Sequence, residues 1–297
     1  MSTTNSTLSV ASVITDFKEI TKIRLSVSVV FSSIAGYLLG AETVEVYTLV
    51  LLAFGGYFMV GASNAYNQII EKDLDALMNR TKNRPIPAGR MTVNTAFTIA
   101  IIFTILGIAT LYIINPKTAM YGAISIFLYT SVYTPLKTKT PLAVFAGAIP
   151  GAIPFMLGWV AARNDFGIEP GTLFAIQFFW QFPHFWAIGW FLFDDYKKGG
   201  FFMLPTGKRD KVTAQQIIIY TVWTLLISIV PVFGVTGDLK LSVVAAIIVF
   251  ALGLVMLYYA IELYKLRTEK AAKQLMLASV SYITLLQIVY VIDKFLR

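Results

Sequence analysis

The chain has 297 residues, of which 57% are apolar, 14% aromatic and only 13% charged. Soluble domains carry about a quarter charged residues, so the composition excludes a water-soluble globular enzyme and a disordered chain. Cysteine is absent and His184 is the one histidine, which excludes disulfides, thiolate chemistry and multi-histidine metal centres, and the net charge of +8 reads as orienting a chain in a membrane, with no role for nucleic acid.

Residues 1–15 are rich in Ser and Thr and hold no Lys or Arg, so neither a secretory signal nor a mitochondrial transit peptide is expected. Residues 1–12 read as a disordered tail and 13–21 as a short interfacial helix, making 1–21 a terminal segment and 22–297 one transmembrane domain. A membrane-spanning helix needs about 20 apolar residues. Nine stretches meet that need, at 22–40, 46–70, 93–114, 117–134, 141–162, 171–192, 215–235, 240–264 and 273–293. The expected fold is an all-α membrane protein of nine transmembrane helices.

Placed on alternating sides of these spans, nineteen of the 24 Lys and Arg fall on the N-terminal side. Only Lys117, Arg163, Lys240, Lys294 and Arg297 fall opposite. The positive-inside bias puts the N-terminus in the cytoplasm and the C-terminus outside. The inside loops after spans two and six are long, hold six of the sixteen acidic groups and lie four helices apart, a weak sign of an internal repeat.

The first chemical cluster lies where span two reaches the cytoplasmic interface. Asn67, Glu71 and Asp75 are spaced i, i+4, i+8, which puts them on one helix face over roughly 12 Å. Hard oxygen donors in that pattern suit Mg²⁺, which completes its shell with water and substrate phosphates. Arg80, Lys82 and Arg84 follow and supply cations for the remaining phosphate charge. A solvated helix end is the bland alternative, but Asn64 and Asn67 lie inside an apolar span, where an unpartnered amide is costly.

The second cluster is Phe182-Pro183-His184-Phe185-Trp186, then Asp194 and Asp195, then Met203-Leu204-Pro205. The paired aspartates offer a second cation site facing Asp75, or an ordinary hydrated turn. His184 lies among aromatics and reads either as a hydrogen-bonded structural residue or as an axial haem ligand. The basic turn with Lys137 and Lys139 reads as a topology anchor or a reach to phosphate. A secondary transporter is the reading from another class, since charged residues in membranes mark ion paths. Here the carboxylates gather at one interface beside arginines, which suits a phosphate site better.

On these residues the chain resembles the UbiA superfamily of intramembrane prenyltransferases. Asn67, Glu71 and Asp75 are similar to its first motif, Asn-x-x-x-Asp-x-x-x-Asp, with Glu71 in place of Asp. The stretch from Asp73 to Pro85, with Arg80, Thr81 and Arg84, resembles the haem-farnesylating branch, the haem O synthases. So do Pro183 to Ala187, Asp194-Asp195-Tyr196 and Met203-Leu204-Pro205. The chain departs from the second superfamily motif, Asp-x-x-x-Asp: Asp194 and Asp195 are adjacent, and Gly199 stands at the later position.

The resemblance implies nine helices around a central cavity with its active site toward the cytoplasm, in a bacterial plasma (inner) membrane. It implies transfer of a farnesyl group from farnesyl diphosphate to a vinyl group of haem B, with water adding to give haem O and pyrophosphate leaving. Mg²⁺ would be held by Asn67, Glu71, Asp75 and Asp195, with Asp194 and Asp195 acting from across the cavity. Arg80, Arg84 and Lys137 would contact the pyrophosphate, and His184 would hold or orient the haem. Tyr66, Tyr129, Trp180 and Phe185 are candidates by position for facing the allylic cation. The expected partners are these two substrates, the lipid bilayer and a haem A synthase-like enzyme. Prenylation of an aromatic acid or a quinone precursor is the alternative within the superfamily.

Overall fold

Among the described residues the chain forms helices and no strand. The structure is a computed structural model that describes residues 10–297. Helix α1 (Val10–Thr21) leads into α2 (Ile23–Gly40), α3 (Val46–Ile70) and the short α4 (Lys72–Leu77). After α5 (Val93–Ile114), α6 (Pro116–Phe127) continues through a π-helical segment, Leu128–Tyr133, into α7 (Thr134–Leu136). Then come α8 (Ala143–Arg163), α9 (Ile168–Phe191) and the short α10 (Phe193–Lys198). The chain ends with α11 (Lys211–Ile229), α12 (Val243–Leu266) and α13 (Glu269–Leu296).

Seven of these, α2, α3, α5, α8, α11 with its extension to Phe233, α12 and α13, are long and apolar enough to cross a membrane. Their ends fall within a few residues of the expected spans. Two expected spans are not among the seven. The stretch 117–134 is not one regular α-helix, because Leu128–Tyr133 takes the wider π turn. The stretch 171–192 is α9, long enough at 24 residues but with its apolar run interrupted by Gln177, Gln181, Pro183 and His184.

The expected tail at 1–12 lies outside the described residues up to residue 9, and the helix already begins at Val10. Tethers at its far end hold α1 in place. Arg90 donates from Nε to Asp16 at 2.7 Å and from Nη2 to Glu19 at 2.8 Å. Gln68 Nε2 donates to the backbone oxygens of Glu19 and Ile20 at 3.2 and 3.1 Å. Val13 and Ile14 remain exposed.

Helix starts follow local chemistry. Asn115 accepts from Thr118 N–H at 2.8 Å and Pro116 occupies the first turn of α6, where a missing N–H costs nothing. Asp210, Ser242 and Thr268 cap α11, α12 and α13 in the same way. Helices α2 and α8 cross in near backbone contact. A Cβ on Gly158 would lie 1.9 Å from Ser33 O, so only a residue without one fits.

Two apolar cores flank α8. One gathers Phe155, Trp186, Trp190, Tyr282 and Tyr290 from α8, α9 and α13. The other gathers Leu52, Phe103, Leu111, Met156 and Val160 from α3, α5 and α8. Side chains link the helix ends where α2, α8 and α13 terminate. Lys294 Nζ donates to Leu38 O at 2.7 Å and also to Ala41 O, and Arg163 Nε donates to Gly40 O at 2.6 Å. Cations on the last carbonyls of α2 complement its dipole.

Candidate active site

Helices α3 and α9 end alike. After α3, Glu71 turns the chain with φ −92° and ψ 7° before α4; after α9, Leu192 does so with φ −100° and ψ 12° before α10. Each short helix carries acids in its first turn, Asp73 and Asp75 in one, Asp194 and Asp195 in the other. The turn at Glu71 preserves the expected row. Glu71 N–H donates to Asn67 O at 2.9 Å and Asp75 N–H to Glu71 O at 2.7 Å, so each residue sits one helical turn after the last.

The two ends meet through Asp195. Its Oδ1 accepts the Asn79 N–H at 2.7 Å and its Oδ2 the Arg80 N–H at 3.1 Å. Partial burial pushes this carboxyl up, but the two backbone donors and Lys198 prevail and hold it below the usual carboxylate range. Asp195 thereby holds the loop that carries Arg80 and does not line the cavity. Asp194 points elsewhere, with Arg209 Nη2 at 3.1 Å and most of its side chain in solvent. Adjacent helical residues diverge by roughly 100°, so only one of the pair can reach across. The expected second cation site opposite Asp75 is therefore not formed by this pair.

A cavity of about 340 Å³ opens between the two helix ends. Asn64, Asn67, Glu71, Arg80, Arg84 and Lys137 lie on its wall. Lys137 Nζ and Glu71 Oε1 pair at 2.8 Å, both nearly out of solvent, with the ammonium 4.5 Å from the Tyr133 ring centre. Asp75 lies behind the wall, fully buried, and pairs with Arg84 Nη1 at 2.6 Å. Burial pushes its carboxyl above the usual range, while Arg84 opposes the rise.

These oxygens fit Mg²⁺. Asn67 Nδ2 donates to Thr134 Oγ1 at 3.2 Å, which turns its carbonyl oxygen to other use. Asp75 Oδ1 and Asn64 Oδ1 are buried without a hydrogen-bond partner. Among the described residues no three of His, Asp and Glu come close enough to hold an ion by themselves, so a cation here would draw the rest of its shell from substrate phosphates.

Lys22 serves orientation and, within Thr21-Lys22-Ile23-Arg24, the family resemblance, and is not among the expected site residues. It lines the cavity from the junction of α1 and α2, in the left-handed conformation at φ 46°. Few non-glycine residues adopt positive φ. Burial, then the charges of Arg84, Lys137 and Arg80, lower its ammonium to about 7. The available signal was a lysine directly before an apolar span.

Of the aromatic candidates, Tyr129 and Phe185 line the cavity. Tyr66 instead borders a separate groove with Ile70 and Thr104. Trp180 donates from Nε1 to Ser279 O at 2.7 Å and stacks on His184 at 4.7 Å between ring centres. His184 is absent from the cavity wall; its Nδ1 bonds Ser279 Oγ of α13 at 2.9 Å. The side chain expected at the haem thus sits in the α9–α13 contact, one residue from Phe185.

Fold and site define a multi-pass membrane protein with a charged mouth above an apolar interior. Residues 29–284 match the UbiA prenyltransferase family. A protein of Christiangramia forsetii named protoheme IX farnesyltransferase is 75% identical over 287 residues, covering 97% of this chain and 96% of that protein. A solved digeranylgeranylglyceryl phosphate synthase superposes with a TM-score of 0.76 at 17% identity, covering 94% of this chain and 98% of its own. A UbiA homolog from Archaeoglobus fulgidus, bound to GPP and Mg²⁺, superposes at 0.67 with 15% identity, covering 93% of this chain and 99% of its own. The chain belongs to the UbiA prenyltransferase family. That membership replaces the transporter reading.

Proposed function

We propose that the chain transfers a farnesyl group from farnesyl diphosphate to a vinyl group of haem B, giving haem O and pyrophosphate. One observation carries the reading: the amide and carboxylate row of Asn67 and Glu71 shares a cavity with Arg80, Arg84 and Lys137. The acceptor follows from full-length likeness to the C. forsetii protein.

Asn67 and Glu71 on the wall, with Asp75 buried behind them, would hold Mg²⁺, and the bound metal would supply positive charge for the leaving pyrophosphate. Arg80, Arg84 and Lys137 take up the rest of that charge. Asp195 keeps the Arg80 backbone in reach by holding its N–H. The allylic carbon left behind is cationic and needs walls without water. Tyr129, Tyr133 and Phe185 present rings there, each worth about 0.5–2 kcal/mol to a cation. Val29, Val60 and Pro154 continue the cavity into a narrower void bordered by Met59, Leu111 and Leu157, which gives the prenyl tail an apolar path. His184 acts on haem placement indirectly, by holding the α9 turn that presents Phe185.

Adding α9 and the α6–α7 segment to the seven long apolar helices gives nine crossings of a bacterial plasma membrane, with the N-terminus in the cytoplasm and the C-terminus outside. A haem A synthase-like enzyme in the same membrane would receive the product. The test is to incubate membranes containing the chain with haem B, Mg²⁺ and farnesyl diphosphate and examine the haem by mass spectrometry. A farnesylated haem with pyrophosphate release supports the reading. Unchanged haem alongside prenylation of an added quinone precursor or aromatic acid overturns it.

A further inference from the structure

Gln181 lines the same cavity from α9 yet is only 2% exposed. Its Nε2 donates to Ala148 O at 2.9 Å and to Gln177 O at 3.2 Å. Both partners are carbonyl oxygens, so turning the amide over would set oxygen against oxygen. Oε1 is therefore directed over Gly151, where a Cβ would stand 2.0 Å from it. No described group donates to Oε1, and it is not sealed in the packing, so it borders the cavity. Pro150, Pro154, Phe185 and Ile188 line the same cavity, and Ser125 spends its hydroxyl on the Pro150 carbonyl at 3.3 Å. A rigid acceptor inside a membrane is costly unless a donor meets it.

The proposed reaction, on which this inference rests, supplies such a donor. When the vinyl π pair forms the new bond to the farnesyl carbon, positive charge remains on the vinyl carbon beside the macrocycle. Proton loss there gives an alkene, and water addition gives the alcohol of haem O. We infer that Gln181 holds the water that completes the reaction. Oε1 accepts one O–H and leaves the water lone pair free for the carbon. The C–O bond forms, and the proton passes to the pyrophosphate freed in the same cavity. No electrons are gained or lost from outside.

The experiment runs wild type, Gln181→Leu and Gly151→Ala with haem B, farnesyl diphosphate and Mg²⁺ in water labelled with heavy oxygen. Wild type incorporates one labelled oxygen per farnesylated haem. In Gln181→Leu the hydroxylated share of farnesylated product falls about tenfold, the equivalent of one lost hydrogen bond, in favour of a product lighter by one water. Gly151→Ala pushes Oε1 aside and shifts the product the same way, which carries the test alone if Gln181→Leu does not insert. An unchanged hydroxylated share in the variants overturns the inference. Absence of any farnesylated haem from wild type overturns the underlying reaction instead.

Discussion

Asp75 and Arg84 meet at 2.6 Å inside the protein, with 1% and 15% of their side chains exposed. Burial raises the Asp75 carboxyl and Arg84 restrains it. A carboxylate needed in its ionised form loses function as pH falls through its pKa. Arg84→Lys keeps the charge but not the planar fork, so the acid limb of kcat/KM moves to higher pH. Asp75→Asn lowers turnover by about 10²–10³-fold while the protein still inserts. Profiles of kcat/KM against pH decide the matter, and an acid limb that stays in place removes Asp75 from the chemistry.

Asp195 is predicted to act through backbone placement. Its carboxyl is held below the ordinary value of 3.8, so its hold on the Asn79 and Arg80 amides persists from neutral pH down through 3.8 and is lost only below that. Asp195→Asn keeps one acceptor and sets an amide N–H against the other backbone N–H, so one of the two bonds is lost at neutral pH. The expected result is a rise in KM for farnesyl diphosphate and a fall in turnover of up to about 10²-fold, as for an ångström-scale misplacement of a clamp. Asp194→Asn, on the exposed side, leaves both constants near wild type. Equal effects of the two variants would contradict this division of labour.

Lys22 carries a pH signature of its own. With its ammonium lowered to about 7, it is charged below that pH and neutral above it. The KM for farnesyl diphosphate therefore climbs as pH passes upward through 7. Lys22→Arg removes the climb, because a guanidinium stays charged. Lys22→Met shows the high KM throughout. The same slope in all three proteins would remove Lys22 from the diphosphate site.

For His184, Ser279 determines the tautomer. Ser279 Oγ donates to Met276 O at 2.7 Å, so it accepts from His184 Nδ1–H. His184→Ala is expected to weaken haem binding by up to about tenfold, the scale of one hydrogen bond. The haem absorption bands keep their positions, since the ring does not line the cavity. A band shift on substitution would establish His184 as an iron ligand.

The seven long helices were legible because a bilayer demands unbroken apolar length. The Asn67, Glu71 and Asp75 row was legible because helical spacing survives a kink that keeps its hydrogen bonds. The partners of those acids were not. Lys137 lies 66 positions beyond Glu71, and the π turn at 128–133 that precedes it is not announced by local propensity. The adjacent Asp194 and Asp195 looked like one site because chain neighbours were read as spatial neighbours. Lys22 stayed hidden since a basic residue flanking a span has an ordinary explanation.

Lys294 and Arg163 bind the last carbonyls of α2 to α13 and α8, and neither lines the cavity between the ends of α3 and α9. A polar hollow that ran clear through the bundle would let protons leak across a membrane whose voltage the cell depends on. Cations spent on the α2 carbonyls satisfy acceptors that would otherwise draw water into that end of the bundle, which works against such a leak.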